Sequence, residues 1–232
     1  MTEAEWQGGG DPQALLAYAA GKLSERKLRL FACSCVRRHW DQLRHDARPR
    51  AAVEVSERFA DGLATADELE AARQAAEVAA LDAPFFSGPA YLAAGAAAQD
   101  SAEQAAHGVM LACHQMAVRA GAYEGVPGMD EQQAQKEAAA WEDRAQCAAL
   151  RDVAGNLFRP VPLDPAWLAR AGGATLLLAR LIYENNQFAD LPFLADALLD
   201  AACGDEALLA HCRTPGVHRR GCWAVDLLLR RE

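Results

Sequence analysis

The sequence predicts an all-α protein, folded as an irregular multi-helix bundle. Apolar residues make up 52% of the chain but aromatic residues only 7%. Alanine, the residue with the highest helix propensity, supplies much of the difference. Helix start signals recur along the chain, and no strand-like alternation of convincing length appears. This composition predicts a core of closely packed helices with small side chains.

Capping residues mark the first helices. Asp11 and Pro12 form an N-cap followed by proline at the first helical position, and Gly21 is expected to end that helix. Ser24 begins a longer helix with one apolar stripe, which is typical of a helix facing a core. The stripe comprises Leu28, Phe31, Ala32, Cys35, His39 and Leu43.

The middle of the chain predicts four further helical segments. One runs from about Ala51 to Gly62, and a capping box formed by Thr65 and Glu68 opens the next, which Pro84 ends. The alanine-rich stretch 90–122 is periodic throughout and predicts a continuous helix. The last is expected between Asp130, its N-cap, and Gly155.

The segment GNLFRPVPLDPAWL predicts a boundary, because three of its residues are prolines within six positions. It separates an N-terminal helical lobe, 1–155, from a C-terminal helical lobe, 156–232, although both lobes can also form one continuous domain. Helices are expected at about 165–184, 191–202 and 205–212. A short non-helical segment follows, and GCWAVDLLL is expected to close the chain as a helix, with a short strand as the alternative.

Charge is distributed unevenly along the chain. Residues 22–50, from Lys22 to Arg50, carry a net charge of +6, whereas residues 51–150 carry −11. The basic segment can bind nucleic acid, or it can pair internally with the acidic segment, which the net charge of −9 for the whole chain favours. No membrane span or signal sequence is expected, and seven cysteines without a disulfide framework indicate a reducing compartment, hence a cytoplasmic protein.

The stretch HCRTPGVHRRGC contains the residues most suited to chemistry. His211, Cys212, His218 and Cys222 offer the thiolate and imidazole ligands that zinc prefers, and zinc is the one cofactor that the sequence suggests. Two alternatives stay open. The cysteines can be small core residues beside helix-capping histidines, or Cys212 can be a nucleophile with His218 as its base.

Three arginines flank the same turn. Arg213, Arg219 and Arg220 form a candidate contact for an anion or a partner, because guanidinium groups bind anions through paired N–H donors. Surface ion pairs explain the same arginines equally well.

Five stretches of the chain are distinctive: EAEW, RKLRLFACSCVRRHW at 26–40, AVEVSERFADG at 52–62, RDVAGNLFRPVPLDPAW, and LADALLDAACGDEALLAHCRTPGVHRRGCWAVDLLL. Together they resemble a family of uncharacterised proteins that occurs in many copies in planctomycete bacteria. The resemblance covers nearly the whole chain but implies no activity or cofactor, so it carries over no site residue. Val36 stands where the family commonly has a third cysteine, which weakens an N-terminal cysteine cluster.

The sequence favours a non-enzymatic module that binds an unidentified protein partner. The expansion of the resembling family favours partner recognition, and the sequence contains no Walker, dinucleotide-binding, HExxH or GxSxG motif. The rival hypothesis is a metal-binding protein or metalloenzyme that uses the C-terminal histidines and cysteines. Nucleic-acid binding through Lys22 to Arg50 is a third.

Overall fold

The computed structural model describes residues 1–83, 87–124 and 129–232. Every regular element in these ranges is helical, which confirms the predicted all-α multi-helix bundle. The predicted helix end at Pro84 lies outside the described residues. The α-helices are α1 (Glu3–Gly8), α2 (Pro12–Ala20), α3 (Glu25–Arg37), α4 (Ala47–Ala60), α5 (Ala66–Leu81), α6 (Gly88–Ala97), α7 (Ala102–Glu124), α8 (Glu131–Ala154), α9 (Pro165–Ala169), α10 (Ala174–Glu184), α11 (Leu191–Asp200), α12 (Glu206–Arg213) and α13 (Trp223–Leu229).

The chain divides into two compact units. Unit 1 comprises Met1–Leu150 and unit 2 comprises Arg151–Glu232, so the division falls inside α8 rather than at the proline-rich segment. Whether the two predicted lobes are independent domains stays a prediction.

Local capping signals place most helix starts. The Asp11 carboxylate accepts hydrogen bonds from the amides at the start of α2, and Ser24 caps α3 in the same way. Thr65 and Glu68 form the predicted capping box at α5. Asp164 caps α9, with proline at its first position as in α2. These side chains satisfy backbone N–H groups that have no partner inside their helices.

Two helix boundaries differ from the sequence prediction. Helix α3 ends at Arg37, and residues Trp40–Leu43 form a separate 3₁₀ turn, so the predicted stripe does not continue along one helix. Helix α4 begins four residues earlier than predicted, with Asp46 as its N-cap. Pro49 therefore lies in the first turn of α4, where its missing N–H removes no hydrogen bond.

Two predicted long helices are each broken. Stretch 90–122 consists of α6 and α7, and the break is held by Arg29, whose guanidinium donates to the carbonyl oxygens of Gln99 and Asp100 at 2.6 and 2.7 Å. Stretch 165–184 consists of α9 and α10, because Gly172 and Gly173 adopt positive φ angles of 68° and 79°. Beyond these breaks, residues 223–229 form the closing helix that the sequence favours.

Unit 1 contains buried or partly buried ion pairs between its basic and acidic segments. Their arginine side chains are 12–18% exposed, so these charges are largely engaged inside the unit. This arrangement supports internal pairing between the basic and acidic segments rather than a surface that binds nucleic acid. Nucleic-acid binding by residues 22–50 stays a prediction. The pairs are Arg26 with Asp61, Arg37 with Glu57 and Arg38 with Glu142, with N–O distances of 2.9, 2.7 and 2.8 Å.

Unit 2 has its own hydrophobic core. Aromatic and aliphatic side chains of α9 to α13 pack together in it, and Cys203, Cys212 and Cys222 are buried among them. Across the described ranges, the helices are all too short or too polar to cross a membrane.

Candidate metal centre

Four side chains of unit 2 converge on one small volume. His211 lies in the last turn of α12, His218 lies in the non-helical segment that follows, and Cys222 is the N-cap residue of α13. Asp152 belongs to the last turn of α8. One potential ligand atom from each residue lies within 4.8 Å of the other three.

The Asp152 carboxylate is the centre of this cluster. Its Oδ1 atom lies 2.5 Å from Nδ1 of His218 and 3.3 Å from Nε2 of His211. The Cys222 Sγ atom lies 3.2 Å from the same His211 nitrogen and 4.0 Å from His218 Nδ1. The Asp152 and histidine side chains are 10–17% exposed, so water has little access to the cluster.

Asp152 is the one member of this cluster that the sequence did not indicate. A carboxylate in the last turn of a helix is opposed by the helix dipole, and a buried one also loses its hydration. Asp152 is 9% exposed and lies just before the glycine at which α8 ends, so its position is unfavourable unless a cation faces it. The sequence alone shows only the first part of this combination, an acidic residue three positions before the glycine that is expected to end the helix.

The hydrogen bonds of His218 define its protonation. Nδ1 faces the Asp152 carboxylate, and Nε2 lies 3.2 Å from the carbonyl oxygen of Thr214. Both partners only accept hydrogen bonds, so both ring nitrogens donate and the ring is an imidazolium. Burial opposes this charge, but the hydrogen bond and charge of Asp152 outweigh it and raise the pKa of His218 above 6.5. In turn, His211 and His218 lower the pKa of Asp152 despite its burial.

Trp223 defines the protonation of His211. The indole Nε1–H donates to Nδ1 of His211 at 3.0 Å, and an indole nitrogen can only donate. Nδ1 is therefore unprotonated, and the proton of this neutral ring lies on Nε2. That N–H faces both Asp152 Oδ1 and Cys222 Sγ.

The Cys222 thiol is protonated in these surroundings. Burial and the negative charge of Asp152 raise its pKa well above 9.0, and the backbone N–H groups of Ala224 and Val225 offset this only in part. Both nearby histidines present N–H groups to the cluster, so neither can accept the thiol proton. The hydrogen bonds therefore do not form the nucleophile and base pair of a cysteine hydrolase.

Cys212 points away from the cluster. It follows His211 on α12 and is therefore turned by about 100° around the helix axis, into the hydrophobic core of unit 2. Burial raises the pKa of its thiol to about 12. The structure thus brings together three of the four candidate ligands and places Asp152, rather than Cys212, beside them. It gives the hypothesis of a Cys212 nucleophile activated by His218 no support.

The three arginines of the candidate anion contact have other interactions. Arg213 pairs with Asp196 at 3.4 Å, and the guanidinium carbon of Arg220 lies 5.0 Å from the centre of the Tyr183 ring. Arg219 is partly buried, and it too interacts with another group of the protein. An anion or partner at these arginines stays a prediction.

A second group of possible metal ligands occurs in unit 1. It consists of His39, Cys113 and Glu142, whose ligand atoms also lie within 4.8 Å of one another. Both oxygens of Glu142 accept hydrogen bonds from Arg38, at 3.1 and 2.8 Å. The arginine already neutralises this carboxylate and repels a metal cation, so the cluster in unit 2 is the better candidate.

Comparison with known proteins finds no matching family model, no matching curated protein and no matching solved structure. The resemblance to the planctomycete family therefore stays a prediction, and functional conclusions rest on the geometry of the cluster.

Proposed function

We propose that unit 2 binds one transition-metal ion, zinc in the first instance, through Asp152, His211, His218 and Cys222. The observation that carries this proposal is the convergence of four zinc-ligand side chains, from residue 152 and from the stretch 211–222, on one largely buried volume.

The spacing of the donor atoms supports a tetrahedral site. Zinc binds nitrogen and oxygen at about 2.0–2.2 Å and sulfur at about 2.3 Å, so its ligands lie roughly 3.3–3.6 Å apart. Four of the donor separations are 2.5, 3.2, 3.3 and 4.0 Å. Shifts of about an ångström or less would bring these atoms to tetrahedral positions.

Charge balance also supports a divalent cation. Asp152 and imidazolium His218 carry opposite charges, and the cluster is neutral with His211 neutral and Cys222 protonated. A divalent metal would replace one proton on His218 and one on Cys222, because imidazole and thiol ligands bind deprotonated. The buried cluster would stay neutral, which avoids the free energy cost of an uncompensated buried charge.

The arrangement favours a structural site over a catalytic one. Four protein ligands complete a tetrahedron and leave no position for water or substrate. His218 would also keep its Nε2–H donor on the Thr214 carbonyl, as ligating histidines commonly do. A metal would therefore fasten the end of α8 to the segment between α12 and α13.

The experiment is a measurement of metal content on the untagged full-length protein and two variants. We expect close to one zinc per chain in the wild type and a large loss in Cys222→Ser. The matched control is Cys212→Ser, which alters a thiol that is buried in the same unit but points into the core, and it should keep its zinc. Equal zinc content in both variants, or none in the wild type, would contradict the proposal.

The protein-interaction module stays a second candidate, and exposed apolar side chains favour it. Leu177 and Leu181, one turn apart on α10, are 60% and 43% exposed, and Phe193 on α11 is 65% exposed. A partner that co-purifies with the wild type and is lost from a folded Leu177→Asp/Leu181→Asp variant would support this function. Retention of the partner by that variant would count against it.

A further inference from the structure

The hydrogen bond from Trp223 to Nδ1 of His211 is not compatible with a metal ion bound to Nε2 of the same neutral ring. A neutral imidazole has one protonated nitrogen and one lone pair. The indole N–H occupies the lone pair of Nδ1, at 3.0 Å, which leaves Nε2 with the proton. It is Nε2 that points at Asp152 and Cys222.

Metal binding at Nε2 requires the other tautomer of His211. One proton leaves Nε2 for solvent and one is taken up from solvent at Nδ1, so the ring stays neutral. Nδ1–H and the indole N–H would then face each other as two donors, with no acceptor between them. The two groups cannot stay at hydrogen-bond distance, so the indole must turn away.

We propose that Trp223 opposes metal binding at His211, and that loading of the site is coupled to release of the indole N–H from Nδ1. This inference rests on the proposed metal-binding function and concerns its regulation. Trp223 acts as a specificity-determining residue that ligates nothing itself. A cation can use all four ligands only if its bond to the His211 imidazole offsets the loss of the hydrogen bond from Trp223. Zinc and copper bind imidazole strongly, so the site should favour them over manganese and magnesium.

The packing around the indole shows how tightly this contact is held. Trp223 lies between the His211 ring, with ring centres 4.9 Å apart, and the backbone of Gly155. A Cβ atom at Gly155 would lie 3.0 Å from the Trp223 Cγ atom, so any residue larger than glycine at this position would clash with the indole ring. Trp223 is also the first residue of α13, so its release would move the start of that helix.

The direct test is a zinc titration of the ¹⁵N-labelled full-length protein, followed by long-range ¹H–¹⁵N spectra of the histidine rings. After chelator treatment we expect the His211 proton on Nε2 and a protected Trp223 indole N–H. With one equivalent of zinc we expect the proton on Nδ1 and a shifted, more rapidly exchanging indole signal.

Other outcomes overturn the inference in distinguishable ways. Zinc that binds while His211 keeps its Nε2 proton would show that His211 is not a ligand, although the site could stand on the other residues. An imidazolate ring that keeps the indole hydrogen bond would equally contradict the coupling. If zinc does not bind at all, both the inference and the proposed function fail.

A second test uses zinc affinity. Trp223→Phe removes the competing donor but keeps an aromatic ring, so zinc should bind about threefold to tenfold more tightly, as expected for the loss of one opposing hydrogen bond. Trp167→Phe is the matched control, because Trp167 is buried in the core of the same unit and should leave the affinity unchanged. An unchanged or weaker affinity in a folded Trp223→Phe variant would contradict the inference.

Discussion

Nδ1 of His218 lies 2.5 Å from the carboxylate of Asp152, a residue 66 positions earlier in the chain. This pair ties the last turn of α8 to the segment between α12 and α13, and both side chains are about nine-tenths buried. Asp152 and His218 are also two of the four proposed metal ligands, so the same side chains contribute to the stability of unit 2 and to metal binding.

Loss of the Asp152 charge should destabilise unit 2 even when metal is removed by a chelator. In Asp152→Asn the imidazolium of His218 loses its charged partner or gives up its proton. Removing one partner of a buried ion pair costs about 3–5 kcal/mol. Urea unfolding of the full-length protein in excess chelator measures this cost.

The control for this variant is Asp196→Asn. Asp196 pairs with Arg213 at 3.4 Å, but its side chain is 71% exposed, so its removal should change the free energy of unfolding by less than about 0.5 kcal/mol. Equal effects of the two variants would show that the Asp152 pair adds nothing beyond an ordinary surface contact.

Gly155 should be intolerant of a side chain. Its φ angle of 67° is unfavourable for other residues, and an added Cβ would meet the Trp223 ring at 3.0 Å. We expect Gly155→Ala to lower the free energy of unfolding by about 2–3 kcal/mol. Gly172 has a φ angle of 68° but nothing within 4 Å of an added Cβ, so Gly172→Ala should cost only the backbone strain of about 1–2 kcal/mol. If thermal unfolding shows equal losses, the indole contact is not tight.

The sequence predicted what is determined locally. Caps such as Asp11 and the Thr65–Glu68 box act within one turn of the helix they begin, so their residues alone indicate them. The break between α6 and α7 also has a local signal that was not used: the Gln104 amide donates to the Ser101 hydroxyl at the start of α7, and Ser-x-x-Gln is a capping pattern. The hydrogen bonds that Arg29 donates at this break, from about 70 positions earlier, could not be predicted.

The candidate site shows the same limit. His211, His218 and Cys222 lie within twelve positions and could be grouped from the sequence. Cys212 has an equally suitable ligand atom and lies in the same stretch, but the turn of α12 directs its side chain into the core. Asp152 could not be grouped with the others because it lies about 60 positions earlier, and only the folding of unit 2 brings this residue beside His211 and His218.

Acid should destabilise unit 1 through Glu142. Burial by itself would raise the pKa of this carboxyl, but His39, the charge of Arg38 and Gln146 lower it from 4.5 to about 2. A lowered folded-state pKa stabilises the protein above the unfolded value, and this stability is lost as the pH falls from 4.5 towards 2. The loss amounts to roughly 3 kcal/mol.

The measurement compares wild type with Glu142→Gln by urea unfolding between pH 6 and pH 3. Glutamine does not ionise, so only the wild type loses the stabilisation by the Glu142 carboxylate as the pH falls. The difference between the two free energies of unfolding should therefore shrink towards low pH. A difference that stays constant across this range would contradict the account of Glu142.

The basic segment should not confer strong binding to polyanions. Arg26, Arg37 and Arg38 pair with acidic residues of unit 1, and Arg29 donates to backbone carbonyls. We therefore expect the protein to elute from heparin at low salt. Retention that falls steeply with salt, and that is lost when Arg44 and Arg50 are replaced by alanine, would instead support nucleic-acid binding.

The most direct test of the central claim is X-ray absorption at the zinc edge on the full-length protein loaded with one equivalent of zinc. The proposed ligand set predicts one sulfur at about 2.3 Å and three nitrogen or oxygen ligands at about 2.0–2.1 Å. Cys212→Ser should give the same spectrum, and Cys222→Ser should lose the sulfur. A zinc shell without sulfur, or with six oxygen or nitrogen ligands, would show that the cluster around Asp152 is not the metal centre.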